Sequence, residues 1–447
     1  MSVAEAPAVA PLEQSPDAAG REIGPPVQPS APHVRETWSA FWRSRVLVWV
    51  VGCVAFLLLP TSSGDPAWTA SAFGSLGNVL AAPAVRWDAV WYLQIAQHGY
   101  QTARVTAFYP LYPLVARAVS LLTGSISIAG IVVSLAGLFA GLLILRRLTA
   151  LELGEKPASA AVQLLAFSPV AVFLSAIYSE GLFLALSVAT IYAARRGRWA
   201  LAGVVGALAA VTRVTGVVLL VPVLLLFLYG PRCDAAPTRS SDEAATSQPR
   251  GSRASSWLRS GWRPRYRITP AILWSALIPA AAAVFAAYLA IRGFGATGTL
   301  DAQQQYSGHL LVLPVVGIWD GVIAGWRQLQ IELAGVHTGG LQTQALFQLG
   351  ALIIACLGVA GCVRRLPFAY TAYAICGLLV ALSAPTAYDP LRGLARYATV
   401  LFPLYMCAGS WATEQGARRR LLIGSALLMV LFTVQFATGN MVGTPVL

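Results

Sequence analysis

A chain of 447 residues with 57% hydrophobic and only 11% charged side chains departs from the soluble globular pattern, and its apolar runs reach the roughly 20 residues needed to cross a bilayer. The net charge of +13 does not point to nucleic acid, because the basic residues sit in short clusters between apolar spans, as a membrane topology signal does. The fold class expected is an all-α polytopic membrane protein.

Residues 1–40 are rich in Pro, Ala, Ser and Glu and lack an apolar period, so a disordered cytoplasmic tail is expected there. Residues 41–229 follow as an N-terminal transmembrane module. It opens on the span Val46–Leu59, continues through an outer loop over 61–106, and reaches Phe108–Leu122, which Pro110 and Pro113 break, so that it is either a juxtamembrane helix or a short span. The next spans are Ile126–Leu145, Ala158–Ile177 and Gly181–Ala194, the last two separated by Tyr178-Ser179-Glu180. Ala200–Val211 and Val217–Leu228 are short and meet at Thr212-Arg213, which suggests a tilted hairpin.

Residues 230–268 form a Ser/Arg-rich linker, read as a cytoplasmic loop near anionic lipid. The C-terminal module, 269–447, holds Ala271–Ile291, a polar outer loop over 292–345, Ala345–Val363, Pro367–Ala384, Tyr397–Trp411 and Leu421–Phe436. Eleven spans with the N-terminus inside put the arginine clusters 146–147, 195–198, 232–267, 364–365 and 418–420 on the cytoplasmic side. The loops 61–106, 178–180, 292–345 and 385–395 then face outward. The six cysteines show neither metal spacing nor a disulfide framework, and the four histidines are scattered, so no metal site is expected from them. P-loop, HExxH and GxSxG patterns are absent from the sequence.

On that topology the outer carboxylates are Asp65, Asp88, Glu180, Asp301, Asp320, Glu332 and Asp389. The outer or membrane-edge cations are Arg86, Arg104, Arg117, Arg213, Arg292, Arg327, Arg392 and Arg396. Chemistry at a lipid phosphate needs a base for the acceptor proton and cations for the departing phosphate. Both kinds of residue concentrate in three places. In Arg86–Tyr100, Trp87, Trp91, Ile95 and His98 fall on one helical stripe, with Asp88 in the first turn. There Asp88 is either an ionised base favoured by the helix dipole or a simple cap. Glu180 is either a functional carboxylate or a helix-capping residue. The segment from Tyr388 to Tyr397 carries Arg392 and Arg396, suited to phosphate oxygens or to pairing with Asp389. Arg213 is either a further phosphate ligand or the ion-pair partner of Glu180.

RWDAVWYLQIAQHGY followed by AFYPLYPL, then SPVAVFLSAIYSEGLFLAL, RRGRWALAGVVGALAAVTRVTGVVL and LARYATVLFPLY, resembles the PIG-V-like mannosyltransferases of the multi-span GT-C class. The resemblance covers most of residues 86–410. It implies a GT-C-type fold with about 11 transmembrane helices and an extracytoplasmic first loop carrying amphipathic or juxtamembrane helices. It implies a polyprenyl-phosphate sugar donor, a lipid or glycan acceptor, and Asp88 as catalytic base. Arg86, Trp87, His98, Tyr100, Glu180, Arg213, Arg396 and Tyr397 match motif positions as substrate- or donor-binding candidates, and Arg392 joins them by its place in the loop. Gln97 stands where relatives often carry Glu, which leaves Asp88 as the base. No cofactor and no nucleic-acid partner are expected; membrane lipids are. The thirty arginines against a single lysine suggest a GC-rich, bacterial genome. The expectation is an inverting mannosyltransferase at the outer face of the cell membrane. Its rivals are a GT-C enzyme with another lipid-linked sugar or a protein acceptor, and a transporter or lipid flippase.

Overall fold

The computed structural model describes residues 31–59, 74–234, 264–308, 311–334, 343–386 and 389–439. Among these there are helices and loops and no β-strand. Most of the expected tail (1–30), Asp65, most of the Ser/Arg-rich linker, His309, His337 and Tyr388 lie outside the described residues.

Helix α1 (Ala31–Leu58) begins ten residues inside the segment expected to be tail. Its first turn holds Pro32, which a helix tolerates there because that N–H would be unbonded anyway. Tertiary contacts then hold its start, since Glu36 accepts from Arg146 at 2.8 Å. The outer loop expected over 61–106 contains two short helices, α2 (Gly74–Ala81) and α3 (Ala89–His98), and a 3-10 turn at Ala103–Ala107. Helix α4 (Leu111–Thr123) follows, then α5 (Ile126–Leu153), a 28-residue helix about 42 Å long at 1.5 Å per residue.

The expected span Ala158–Ile177 is not one helix. Helix α6 (Glu155–Ala166) stops, an irregular segment with a 3-10 turn at Ala171–Leu174 follows, and α7 (Glu180–Arg195) starts afterwards. Pro169 accounts for the break: it has no N–H to donate and disfavours helical backbone in the residue before it. Irregular backbone in an apolar bundle must find partners inside the protein, and this segment does. Arg45 of α1 is 2% exposed and donates to the carbonyls of Ala166 at 2.9 Å and Ala171 at 2.8 Å and to Ser175 Oγ at 2.7 Å. Ser134 Oγ donates to Ala176 O, Ser425 Oγ to Phe167 O, and the Ile177 N–H to Ala84 O.

Helices α8 (Trp199–Ala210) and α9 (Leu220–Tyr229) flank the break at Val211–Arg213 and a 3-10 turn at Val214–Leu219. A 3-10 turn at Pro270–Ala276 leads into α10 (Leu277–Ile291). The polar loop expected over 292–345 is largely helical: it contains α11 (Gly298–Ser307) and α12 (Pro314–Leu333). In α12 the glycines 317, 321 and 325, four residues apart, lie against Leu382, Leu391 and Leu349, while Trp319 and Trp326 face outward. Glycines in a polar stretch read as loop; here they are the packed face of a helix. Helices α13 (Thr343–Arg365), α14 (Phe368–Leu382), α15 (Leu394–Thr399), α16 (Phe402–Glu414) and α17 (Arg418–Thr438) complete the bundle.

Among the described residues, five helical stretches are long and apolar enough to cross a membrane: His33–Leu58, Ile126–Leu153, Pro270–Ile291, Ala345–Arg365 and Arg418–Thr438. The chain is a multi-pass membrane protein, although long helices do not match the eleven expected spans one for one. At the centre α5 packs on α7 and α6 on α16, while α1 pairs with α17 and α8 with α10. Small residues permit the closest approach: a Cβ on Gly181 would lie 2.5 Å from Ser134 O, so α7 can start against α5 only with glycine there.

The two ends of the bundle differ. Among the described residues, one gathers the arginine clusters 146–147, 195–198 and 364–365, with Arg146 held by Glu36 and Glu155, Arg195 by Glu152 at 2.6 Å, and Arg365 by Glu414 at 2.7 Å. The other holds the loops around α3, Tyr178-Ser179 and α15. On α5, Ser134 bonds beneath these loops, and Arg146 is about 18 Å further along at 1.5 Å per residue.

Candidate active site

Three chain breaks converge here: the start of α3, the end of the irregular segment before α7, and the entry to α15. Trp87, just before α3, has φ 57°, the left-handed region that a bulky residue rarely occupies. That turn starts the helix at Ala89 and leaves Asp88 in the N-cap position, yet the Asp88 side chain makes no capping bond. Its Oδ2 instead accepts from Arg396 Nη1 at 2.6 Å. The backbone around it is fixed by Tyr178, whose hydroxyl donates to Arg86 O and accepts from the Asp88 N–H, both at 3.1 Å.

Arg396 enters on α15, after Gly393 in the left-handed region at φ 78°. Its Nε donates to Glu180 Oε1. The guanidinium lies over the rings of Tyr178 at 4.6 Å and Phe173 at 5.3 Å, contacts that stabilise a cation away from water. Glu180 Oε1 also accepts from Arg213 Nη1 at 2.5 Å. Arg213 lies 5.1 Å from the Tyr397 ring centroid and reaches Ser179 Oγ at 3.3 Å, and that oxygen meets the Tyr92 hydroxyl at 2.9 Å.

The result is a chain of alternating charge, Asp88–Arg396–Glu180–Arg213, which is neutral as a unit. Side-chain exposure falls along it from 34% at Asp88 and 20% at Arg396 to 1% at Glu180. Only the Asp88 end is open to a reactant. Glu180 is enclosed with both arginines, so its part is to hold them.

Of the residues singled out in the sequence, the structure brings together Asp88, Glu180, Arg213, Arg396 and Tyr397, with Arg86 contributing its carbonyl. The pair Arg213–Glu180, one of two readings of Arg213, is present, and Arg396 pairs with Asp88 and Glu180 rather than with Asp389. Arg86 Nε and Trp87 Nε1 are buried atoms without a hydrogen-bond partner beside Asp88, and the Arg86 guanidinium lies 5.1 Å from the Phe56 ring centroid. Other candidates lie apart. His98 is exposed at the far end of α3, about 15 Å from Asp88 by helix rise. Tyr100 is buried in a separate cluster with Phe285 and donates to Phe108 O at 2.8 Å. Arg392 is exposed, and nearby burial pushes the Asp389 carboxyl above its ordinary value against that arginine's pull.

The expected helical stripe also differs from the one seen. Because Trp87 precedes the helix, the buried face of α3 is Ala89, Tyr92, Leu93, Ile95 and Ala96, while His98 faces out. Tyr92, Phe173, Tyr178 and Ser179 carry contacts that sequence reasoning did not assign. The available signal was Tyr92 four residues after Asp88, on the face of the helix that a first-turn carboxylate shares. Among the described residues no three His, Cys, Asp or Glu side chains are grouped to hold a metal ion.

Residues 56–227 match the family described as Mannosyltransferase (PIG-V). The GPI alpha-1,6-mannosyltransferase 2 of Rattus norvegicus is 31% identical over 191 residues, covering 39% of this chain and 39% of that protein. The Mus musculus protein of the same name is 31% identical over 204 residues, covering 43% of this chain and 37% of its own length. The match thus spans about two fifths of those relatives. Among solved structures, the Archaeoglobus fulgidus oligosaccharyltransferase AglB, in complex with an inhibitory peptide and a dolichol-phosphate, aligns with 91% of this chain and 57% of its own, at 12% identity and a TM-score of 0.40. The apo form of the Archaeoglobus fulgidus oligosaccharyltransferase aligns at 13% identity and a TM-score of 0.40, over 90% of this chain and 56% of that one. Residues 56–227, the part that carries Asp88, Glu180 and Arg213, are thus similar in sequence to the family described as Mannosyltransferase (PIG-V).

Proposed function

We propose that this protein is an inverting mannosyltransferase of the GT-C class that takes mannose from a polyprenyl-phosphate donor and passes it to a lipid-linked or glycan acceptor. The observation that carries the reading is Asp88, the more exposed of the two carboxylates in the charge network, held by an arginine that it shares with the buried Glu180. The contact with Arg396 holds the Asp88 carboxylate at the open end of the network, where a general base has to meet the acceptor hydroxyl. Asp88 takes the proton of an acceptor hydroxyl as that oxygen attacks the anomeric carbon. The bond from that carbon to the phosphate oxygen breaks, and its electron pair leaves with the polyprenyl phosphate. Arg396 spends Nε and Nη1 on the two carboxylates, leaving Nη2 for a phosphate oxygen. Arg86 Nε and Trp87 Nε1, buried donors without a partner in the residues just before Asp88, are further candidates for an anion. As the acceptor proton reaches Asp88, its hold on Arg396 weakens and the guanidinium turns toward the growing negative charge on the phosphate.

The site faces the extracytoplasmic side in this reading. Its support is that the arginine clusters gather at the opposite end of the bundle, where the positive-inside rule places the cytoplasm. The polyprenyl tail would lie between the helices.

Asp88→Asn tests the base, because it keeps the shape and removes the proton acceptor. Mannose transfer from polyprenyl-phosphate mannose in washed membranes should fall by about 10²-fold or more. Donor binding and the melting temperature should stay near those of the native protein. Near-normal turnover in that variant removes Asp88 from this role.

A further inference from the structure

The end of the bundle opposite the candidate active site has a second feature, one that the transfer reaction does not use. The first turn of α1, the last turns of α5, the start of α6 and the end of α7 enclose a cleft of about 50 Å³. That exceeds the roughly 10–15 Å³ of such space that one water needs. His33, Arg146, Arg147, Glu155, Tyr192 and Arg196 line it together with leucines of α5.

The polar groups of this cleft are not all satisfied. Arg146 is 6% exposed and pairs with Glu36 at 2.8 Å and Glu155 at 3.2 Å, but its Nε is buried with no partner. Among the described residues, neither Arg147 nor Arg196 shows a side-chain hydrogen bond or ion pair. Glu155, the one carboxylate in the lining, is already bonded by Arg146 and lies 3.7 Å from His33 Nε2. Three guanidinium groups thus face one carboxylate in the lining, and guanidinium forks suit phosphate oxygens.

Position narrows the ligand. The apolar stretches His33–Leu58 and Ile126–Leu153 both have an end here, so the cleft sits where helices leave the hydrocarbon layer. An anion bound there can keep an acyl chain against the apolar wall while its headgroup meets the arginines. We propose that this cleft binds a phosphate-bearing anion, namely the headgroup of an anionic phospholipid of the cytoplasmic leaflet, docked on Arg146, Arg147 and Arg196.

The test uses the full chain purified in detergent and needs no transferase activity, so it stands or falls apart from the function proposed above. Dioleoyl phosphatidylglycerol, dioleoyl phosphatidylcholine and inorganic phosphate are each titrated while the melting temperature is followed, and lipid adducts are counted by native mass spectrometry. Phosphatidylglycerol should raise the melting temperature and phosphatidylcholine should not. Inorganic phosphate should give no comparable shift. Arg147→Gln with Arg196→Gln should weaken the apparent phosphatidylglycerol affinity by about thirtyfold, from about 1 kcal/mol for each arginine near an anionic surface. Its lipid-free melting temperature should not change, and Arg147→Lys with Arg196→Lys should restore most of the binding. Equal binding of phosphatidylcholine, full affinity in the glutamine variant, or no binding at all would overturn the proposal. Protection by inorganic phosphate alone would overturn its lipid part and leave a free-phosphate site.

Discussion

Asp88 and Glu180 touch the same guanidinium and yet must behave differently when substituted, because burial separates them. Glu180 is 1% exposed and holds both Arg213 and Arg396. Glu180→Gln keeps the volume but leaves the buried Arg213 without a carboxylate and Arg396 with Asp88 alone, and breaking a buried pair from one side costs about 3–5 kcal/mol. Asp88 is about a third exposed, so water screens its pair and the stability lost in Asp88→Asn should be about 1 kcal/mol or less. Thermal melts in detergent should therefore show a large drop for the glutamine variant of Glu180 and a small one for the asparagine variant of Asp88. Transfer activity should collapse in both. A Glu180→Gln protein that melts like the native one would mean that the carboxylate is not needed to hold the arginines. All four members of this network are visible in the sequence as isolated charges against apolar runs. Their pairing is not, because Asp88 and Arg396 stand 308 positions apart and no local spacing joins them. Nor does spacing separate a capping aspartate from a base; the left-handed turn at Trp87 and the side-chain direction of Asp88 are needed for that.

At the scale of the element, the irregular segment between α6 and α7 positions the site. Hydropathy reads Ala158–Ile177 as one span because every residue that breaks the helix is itself compatible with an apolar run. Pro169 was the legible warning. What a sequence does not display is who satisfies the freed carbonyls, and Arg45 does so from α1, more than 120 residues away in the chain. The segment in turn presents Phe173 and Tyr178 to Arg396. Arg45→Met should therefore unsettle the site from a distance. Removing a buried cation relieves its desolvation, but the carbonyls of Ala166 and Ala171 and the Ser175 hydroxyl lose a donor at a cost of about 1–3 kcal/mol each. The expected net effect is a lower melting temperature and weakened transfer, with partial recovery in Arg45→Lys. An Arg45→Met protein with unchanged melting and activity would show that water or neighbouring side chains replace those bonds. The helical content of 292–345 was hidden for a related reason: in α12 the glycines that suggest a loop form the surface on which the helix packs.

For the whole molecule, the two ends are told apart by charge. The sequence placed the arginine clusters on one side by counting spans, and the fold brings clusters far apart in the chain into one layer without any count: Arg146 with Glu36, Arg195 with Glu152, Arg365 with Glu414. The agreement holds even though several expected spans are broken or short, because positive-inside asymmetry depends on which end of the bundle a cluster occupies and not on how a helix reaches it. Shifting two spans would leave the grouping unchanged, since the contacts fix it. The sidedness that follows can be tested with a cysteine at each end. Gln101→Cys lies just beyond the last turn of α3 and Arg419→Cys in the first turn of α17, and both positions are exposed. A membrane-impermeant maleimide applied to intact cells should label Gln101→Cys above the level of the native chain, and Arg419→Cys only after permeabilisation. The reverse pattern would turn the protein over, putting Asp88 on the cytoplasmic face and any polyprenyl-linked donor within reach only from that leaflet.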